Sequence, residues 1–256
     1  MSLRFGNREF APRAWAVLLT AASVGLFVSL GSWQVGRAHE KQALVDSFQR
    51  GADTDVELGP GIAFDSLPRY QHVRVAGRYE PARQVLIDNM PSQAGKPGYR
   101  VLTPLRRADT ARLLLVDRGW LPLGTSRETL PDVQVAATNR TIAGRLDGLP
   151  APGVRVGEAG VPGDTRWPRV LNFPQQADLE RALGEPVEAR ILLLDPAAPD
   201  GYERAWRPAM QFGPERHYGY AVQWFAFAVV ALVIFISLSL RRVDAGPASD
   251  WDNIAP

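Results

Sequence analysis

The chain has 256 residues, carries a formal net charge of +2 at pH 7 and contains no cysteine. Because cysteine is absent, disulfides, thiolate metal sites and cysteine nucleophiles are excluded. The basic residues are scattered along the chain instead of forming a block, which argues against nucleic acid as a partner.

The first element is an uncharged apolar run over residues 14–35, preceded by a tail of residues 1–13. At about 1.5 Å rise per helical residue, the run can cross the roughly 30 Å of bilayer hydrocarbon. It is longer than the apolar centre of about 7–15 residues in a cleaved signal peptide. We therefore expect a retained transmembrane helix, although Ser29 and Gly31 are small residues of the kind that a cleavage site uses.

A helical extension and an irregular connection are predicted over residues 36–68. Residues 37–48 have helix-forming composition, with Leu44 and Phe48 one turn apart, so the first helix should continue out of the membrane. Glycine, proline and aspartate are frequent over residues 51–68, which favours an irregular connection there.

Residues 69–216 are predicted to form a β-rich domain with one short helix. Runs such as His72-Val73-Arg74-Val75 alternate polar and apolar side chains, as expected for a sheet with one wet face. The helix is expected over residues 173–183, with Gly184 as its stop. The candidate strands cover residues 72–79, 84–88, 99–105, 112–118, 140–146 and 189–194.

A second uncharged run of 23 residues, 218–240, predicts a transmembrane helix over residues 217–240, followed by a tail of residues 241–256. The expected fold class is therefore a membrane protein of α+β type, in which two transmembrane helices flank a mostly-β extracytoplasmic domain. Membrane lipid is a partner of any such chain.

Two spans place both tails on one side of the membrane, but the basic residues do not decide which side. Three precede the first run and three follow it, namely Arg4, Arg8, Arg13, Arg37, Lys41 and Arg50. A short tail with three arginines resists translocation, whereas long domains cross largely regardless of charge. We therefore expect both tails in the cytoplasm.

The topology brings two polar clusters to the same leaflet, where the chain leaves the membrane and where it re-enters. On the second helix, His217, Tyr220, Ala221 and Trp224 follow spacings of three and four and so share one face. Gln223 lies close to that face, about 9 Å deeper than His217 at helical rise.

On the first helix, Trp33 and Gln34 precede Arg37 by four and three residues and occupy neighbouring positions. Together the two clusters suit a flat amphipathic ligand such as haem, with imidazole on the iron, aromatic rings on the porphyrin and guanidinium on a propionate. The alternative is that these residues bind no ligand. It stays open, because Trp, Tyr and Arg are common at any bilayer interface and a single His there needs no function.

Other candidate residues are interpreted as structural. His72 is expected to be an ordinary strand residue, and His39 a solvent-facing residue of the helical extension. Arg118-Gly119-Trp120 is interpreted as a strand that ends at a glycine bend over which Trp120 packs. No nucleophile elbow, phosphate loop or zinc motif appears, so we do not expect an enzyme, although a carboxylate-only hydrolase stays open.

The chain resembles the surfeit-locus protein one family of cytochrome c oxidase assembly factors over nearly its whole length. The first and last of four stretches are specific in combination. The stretches are Leu30-Gly31-Ser32-Trp33-Gln34-Val35-Gly36-Arg37 with Lys41; residues 70–79, with Val73 and Gly77; Tyr99-Arg100-Val101-Leu102-Thr103-Pro104-Leu105 with residues 116–122; and His217-x-x-Tyr220-Ala221-x-Gln223-Trp224-Phe225.

The resemblance implies a bacterial inner-membrane protein with a periplasmic domain and a retained first span. It further implies that the chain binds haem a through His217 and helps to insert it into cytochrome c oxidase subunit I, with haem a synthase as a further candidate partner. Only the role of His217 comes with the family. The other candidate haem-binding residues, taken from the two polar clusters above, are Tyr220, Gln223, Trp224, Trp33, Gln34 and Arg37. Glu215 stands two residues before His217, where the family often has an asparagine. Glu215 could accept a hydrogen bond from His217 or repel the propionates of a haem.

Two further functions remain alternatives at this point. One is a cofactor-free membrane chaperone that stabilises an oxidase assembly intermediate. The other, with less support, is a membrane-anchored hydrolase.

Overall fold

The computed structural model describes residues 3–5, 8–51, 55–62, 64–92, 94–124, 126–150, 159–160, 165–208, 210 and 212–242. Its contacts divide the chain into two compact units. The helix-pair unit comprises Met1–Ala43 and Met210–Pro256, and the β domain comprises Leu44–Ala209.

The described elements are three α-helices, one 3-10 helix and eleven strands. The α-helices are α1 (Ala14–Arg50), α2 (Gln176–Leu183) and α3 (Pro214–Ser239), and the 3-10 helix is η1 (Phe64–Ser66). The strands are β1 (Leu3–Phe5), β2 (Arg8–Phe10), β3 (Asp55–Glu57), β4 (His72–Tyr79), β5 (Val85–Asp88), β6 (Gly98–Arg106), β7 (Leu113–Pro122), β8 (Asn139–Asp147), β9 (Arg169–Asn172), β10 (Val187–Leu194) and β11 (Leu240–Arg242).

The helices α1 and α3 account for both apolar runs of the sequence. They have 37 and 26 residues, and their most apolar windows have mean hydropathies of 1.9 and 2.4. By length and composition both can cross a membrane. As the composition predicted, α1 continues beyond the apolar run, and it ends only at Arg50. Two apolar helices thus stand at the N-terminal and C-terminal sides of a mostly-β domain, which indicates a membrane protein.

The helix-pair unit also contains a small antiparallel sheet in the order β1-β2-β11. In this sheet Leu240 is paired with Phe10, and Arg241 with Glu9. The sequence analysis missed these strands because each has three residues, which is too short for an alternating pattern to be visible.

Five strands of the β domain close into a barrel. The sheet has the order β3-β4-β8-β10-β7-β6-β5-β9, and an additional pairing joins β4 to β6. That pairing sets Tyr79 opposite Leu105 and so closes the ring β4-β8-β10-β7-β6. Most pairs are antiparallel, while β10 runs parallel to β7, β3 parallel to β4 and β5 parallel to β9.

Side chains from all five strands fill the barrel. Its hydrophobic cluster includes Val73 and Val75 of β4, Leu105 of β6, Leu114 and Val116 of β7, Ile142 and Leu146 of β8, and Leu192 and Leu194 of β10. A second cluster, between the outer face of the sheet and α2, contains Leu115, Leu179, Leu183, Ile191 and Leu193. The strands β7 and β10 are therefore buried on both faces, which explains their continuous runs of leucine.

The six predicted strands are confirmed, β4 with its predicted bounds and the other five with at least one bound shifted by one to four residues. The largest shift is in β7, which continues through Gly119 to Pro122, so the predicted end of the strand at Gly119 was wrong. Gly119 has a φ of 112° and stands where the β6–β7 register shifts, which lets the strand absorb an irregularity and continue.

The domain helix was also predicted too long at its start. It begins at Gln176 instead of 173, because Phe173 has a φ of 45° and precedes Pro174, which disfavours helical backbone before it. The amide of Gln175 donates to the carboxylate of Asp178 over 2.9 Å at the helix start. The predicted end of this helix is confirmed. Gly184 has left-handed backbone, and its amide donates to the carbonyl of Glu180.

Candidate functional site: the interface of the two apolar helices

Small residues allow α1 and α3 to pack closely. Gly31 and Ala38 are buried on α1, and Ala221 and Ala228 are buried on α3, in each case seven residues apart. A spacing of seven is two helical turns, the repeat by which helices pack at a shallow crossing angle. A Cβ at Gly31 would lie 2.7 Å from Cε1 of Phe225, so a larger residue at position 31 would have to displace the ring of Phe225.

An aromatic cluster lies along the same interface. Trp224 stacks on Phe27 with ring centroids 5.9 Å apart, and Phe227 lies 5.9 Å from both rings. Trp224 was a predicted site residue, whereas Phe27 was missed. The signal that would have found Phe27 is its position seven residues before Gln34, on the same face of α1.

The structure brings together Gln34 and His217, one from each helix. The Nδ1 atom of His217 donates a hydrogen bond of 2.8 Å to Oε1 of Gln34. An amide oxygen only accepts, so this contact favours the tautomer that has its proton on Nδ1, in which the lone pair is at Nε2. No other described residue hydrogen-bonds to His217. Both side chains are half-buried, which places the bond at the helix interface.

Four predicted site residues lie apart from that interface. Trp33 is 58% exposed and Tyr220 is 46% exposed, and Gln223 is also exposed. Arg37 donates from Nη1 to Oε2 of Glu40 over 2.5 Å, one turn further along α1. In the helix-pair unit these side chains face outward, where lipid or a ligand would meet them.

Glu215 lies in the first turn of α3 and is exposed. A carboxylate there is stabilised by the helix dipole. The hydrogen bond that the structure describes for the His217 ring goes to Gln34 and not to Glu215.

The other two histidines have structural surroundings. His39 is exposed, as expected, with its ring centroid 6.1 Å from that of Tyr218. His72 holds Asp55 at Nδ1, 2.5 Å away, and Asp195 at Nε2, 2.9 Å away, so it ties β3 to β4 and to the segment after β10. Among the described residues, no group of three or more His, Asp and Glu side chains is arranged to hold a metal ion.

Arg118 is the largest fully buried side chain of the β domain, and it bonds to acceptors on four segments. Its Nε donates to the carbonyl of Asp200 over 2.7 Å. Its Nη1 donates to the carbonyl of Val133 over 2.8 Å and to Oε1 of Gln84 over 2.9 Å. The ring of Tyr202 covers the guanidinium at 5.0 Å. Every interaction is internal, which supports the structural interpretation of Arg118.

Asp117, the neighbour of Arg118, is also fully buried. Burial raises the pKa of its carboxyl group, and the ion pair with Arg100 opposes that rise. Its Oδ1 accepts a hydrogen bond of 3.0 Å from the amide of Gly119, which holds the irregular strand segment. Trp120 is anchored by its Nε1, which donates to the carbonyl of Met90 over 2.7 Å.

Comparisons with known proteins give one consistent result. Over 104 residues the chain is 31% identical to a "SURF1-like protein" of Rickettsia felis. The matched stretch is 40% of this chain and 45% of the relative. A "SURF1-like protein" of Monosiga brevicollis is 24% identical over 245 residues, 88% of this chain and 86% of the relative. "Surfeit locus protein 1" of Takifugu rubripes is 27% identical over 123 residues, 42% of this chain and 50% of the relative.

The matches to the Rickettsia and Takifugu proteins thus span half or less of those proteins' lengths. The model of the SURF1 family matches residues 21–229, which include Gln34, His217 and the whole β domain. This match covers most of the chain, and the chain therefore belongs to the SURF1 family.

Proposed function

We propose that this protein is a membrane-bound assembly factor for a haem-copper terminal oxidase, cytochrome c oxidase, and that it binds haem a and assists its insertion into subunit I. Membership of the SURF1 family, known as a family of oxidase assembly factors, supports the general role. The haem a cargo is what the resemblance to the family implies, and the residues of the helix interface suit a haem.

The hydrogen bond between His217 and Gln34 carries the haem proposal. Ligation of iron requires a neutral imidazole with a lone pair on the nitrogen that faces the metal. Gln34 holds the proton of His217 on Nδ1, and Nε2 has no partner among the described residues. Metal-bound histidines commonly donate the other ring N–H to an oxygen in this way. His217 would be the axial ligand.

The neighbouring side chains are suited to the rest of a porphyrin. Trp33 and Tyr220 expose aromatic surface, and Arg37 could pair with a propionate. The present partner of Arg37 is the exposed Glu40, and an exposed ion pair is worth little, so a propionate can compete for the guanidinium. Gln223 and Trp224 would contribute to the edge and the floor of the site.

The proposed setting is a bacterial inner membrane, with both termini in the cytoplasm and the β domain in the periplasm. The helix interface at Gln34 and His217 would then lie at the outer leaflet. No catalytic step is proposed for the chain. Haem a synthase is proposed as a possible donor, and oxidase subunit I as the acceptor.

The test is to purify the protein in mild detergent from cells that make haem a and to record its absorption spectrum. We expect a Soret band in the wild type, and in His217→Ala at least a tenfold lower haem occupancy, because the iron loses its ligand. His39→Ala is the matched control, since His39 is the other histidine of the helix-pair unit and is exposed. It should keep the band.

A second variant tests the hydrogen bond itself. Gln34→Leu removes the acceptor that holds the His217 ring, and loss of such an outer partner typically lowers metal affinity about 10–100-fold. A wild type without a Soret band, together with pull-down of oxidase subunit I from haem-free cells, would favour the cofactor-free chaperone instead. A band unchanged in His217→Ala would overturn the assignment of the ligand.

A further inference from the structure

A second site lies in the helix-pair unit, at the end of α1 and α3 that is remote from His217. There the two helices leave a groove of about 530 Å³. Its apolar walls include Trp15, Leu19, Ile234, Phe235 and Leu238. Its size falls in the roughly 300–1,000 Å³ range of ligand-binding clefts.

Two arginines stand at the mouth of this groove. Arg13 precedes the first turn of α1, Arg241 follows the end of α3, and both line the groove. Neither guanidinium has an ion-pair partner among the described residues. Glu9 stands opposite Arg241 in the β2–β11 ladder, and no ion pair joins the two. Within the described part of the chain, the mouth therefore offers two arginines without an ion-pair partner beside an apolar slot.

The depth of the groove matches one leaflet of a bilayer. Its lining reaches from Arg13 to Ser23 along α1 and from Arg241 to Ala231 on the other side. Ten residues of helix rise by about 15 Å, which is half of the roughly 30 Å of hydrocarbon in a membrane. A ligand with an anionic head at the arginines and an aliphatic tail along the wall would fit this length.

We infer that the groove binds one anionic phospholipid from the leaflet on the side of the two tails. Basic pockets between transmembrane helices bind lipid phosphates, and each arginine near the surface contributes to that attraction. Isolated arginines at helix ends only snorkel to the interface, but here two of them converge on one concave surface. This inference rests on the membrane insertion proposed above, and it is independent of haem.

The test measures the phospholipid that stays bound after purification of the full-length protein in mild detergent. Native mass spectrometry should find one phosphatidylglycerol or cardiolipin per wild-type chain. In Arg13→Gln/Arg241→Gln the affinity for phosphatidylglycerol, measured by titration in nanodiscs of phosphatidylcholine, should fall about thirtyfold. Arg207→Gln/Arg216→Gln removes two other exposed arginines outside the groove and should bind like the wild type.

A groove-filling variant tests whether lipid binding needs the space of the groove as well as the charges of the arginines. Ala16→Phe narrows the groove while both arginines remain, and it should also lose the lipid. The inference is overturned if the wild type retains no stoichiometric lipid, if phosphatidylcholine is retained equally, or if a protein helix occupies the groove in the oxidase complex. Extraction of the wild type by alkaline carbonate would instead contradict membrane insertion, and so would separate failure of the proposed function from failure of the lipid site.

Discussion

At the scale of single residues, Arg118 and His217 are polar side chains with different surroundings. Arg118 is enclosed in the β domain, where its guanidinium meets backbone carbonyls, Gln84 and the ring of Tyr202. His217 is only half-buried, with one ring nitrogen held and the other without a described partner. The first arrangement is complete in itself, whereas the second is the one on which the haem proposal rests.

Replacement of Arg118 by methionine should destabilise the β domain strongly. The substitution keeps an apolar stem but removes the side-chain donor to the carbonyl of Asp200 and leaves the carbonyl of Val133 with Gln84 as its side-chain donor. We expect a loss of about 3–5 kcal/mol in the free energy of unfolding. Guanidinium unfolding of the full chain in detergent, followed by near-ultraviolet circular dichroism, measures it.

The control for this prediction is Arg78→Met on the same barrel. Arg78 is exposed, and among the described residues its side chain donates one hydrogen bond, to the carbonyl of Ala137. Its loss should therefore change the free energy of unfolding by about 0.5 kcal/mol or less. Similar losses for the two variants would mean that the Arg118 network does not hold the domain together.

At the scale of elements, the helix pair depends on how closely α1 and α3 approach. Gly31→Leu would force a side chain into the ring of Phe225 and push the helices apart. Overpacking of this kind costs about 1–3 kcal/mol, or roughly 5 °C in melting temperature for a chain of this size. Ellipticity at 222 nm during heating reports it, because α1 and α3 supply most of the helix.

Gly25→Leu is the matched control in the same helix. Nothing lies within 4 Å of a Cβ at Gly25, so leucine there meets no obstacle and replaces a weak helix former with a strong one. Its melting temperature should equal or exceed that of the wild type. Equal melting temperatures for Gly31→Leu and the wild type would exclude the close helix contact.

The sequence analysis succeeded where the signal was local. The alternation of residues 72–75 predicted β4 and its single wet face, and Gly184 predicted the end of α2. It failed where the outcome depends on distant partners. Closure of the barrel depends on the pairing of Tyr79 with Leu105, and the four-residue strand β9 pairs with β5, which is distant in sequence.

The candidate site shows the same division. Topology predicted that Gln34 and His217 share a depth, because both stand at the membrane end of an apolar run. Their hydrogen bond requires a particular register between helices 183 residues apart in sequence, which no local pattern specifies. The contacts of Phe27 with Trp224 and of Gly31 with Phe225 depend on that same register.

At the scale of the whole molecule, the absence of cysteine makes the membrane topology directly measurable. Single cysteines can be placed at Ser126 in the β domain and at Arg13 at the start of α1. If both tails are cytoplasmic, a membrane-impermeant maleimide should label Ser126→Cys in intact spheroplasts. It should label Arg13→Cys only after permeabilisation.

The cysteine-free wild type is the background control for this labelling. The reverse pattern would invert the proposed orientation. Labelling of both positions in intact spheroplasts would mean that α1 does not span the membrane.

The closed barrel protects the β domain against aggregation by edge-to-edge strand pairing. Ring closure gives each of its five strands two neighbours, so the described edges of the sheet are β3 and β9, with three and four residues. Exposed Asp55 and Glu57 on β3 further oppose pairing with another chain. A single copy of this chain therefore offers little template for strand exchange, and the β domain should resist aggregation in the absence of any other protein.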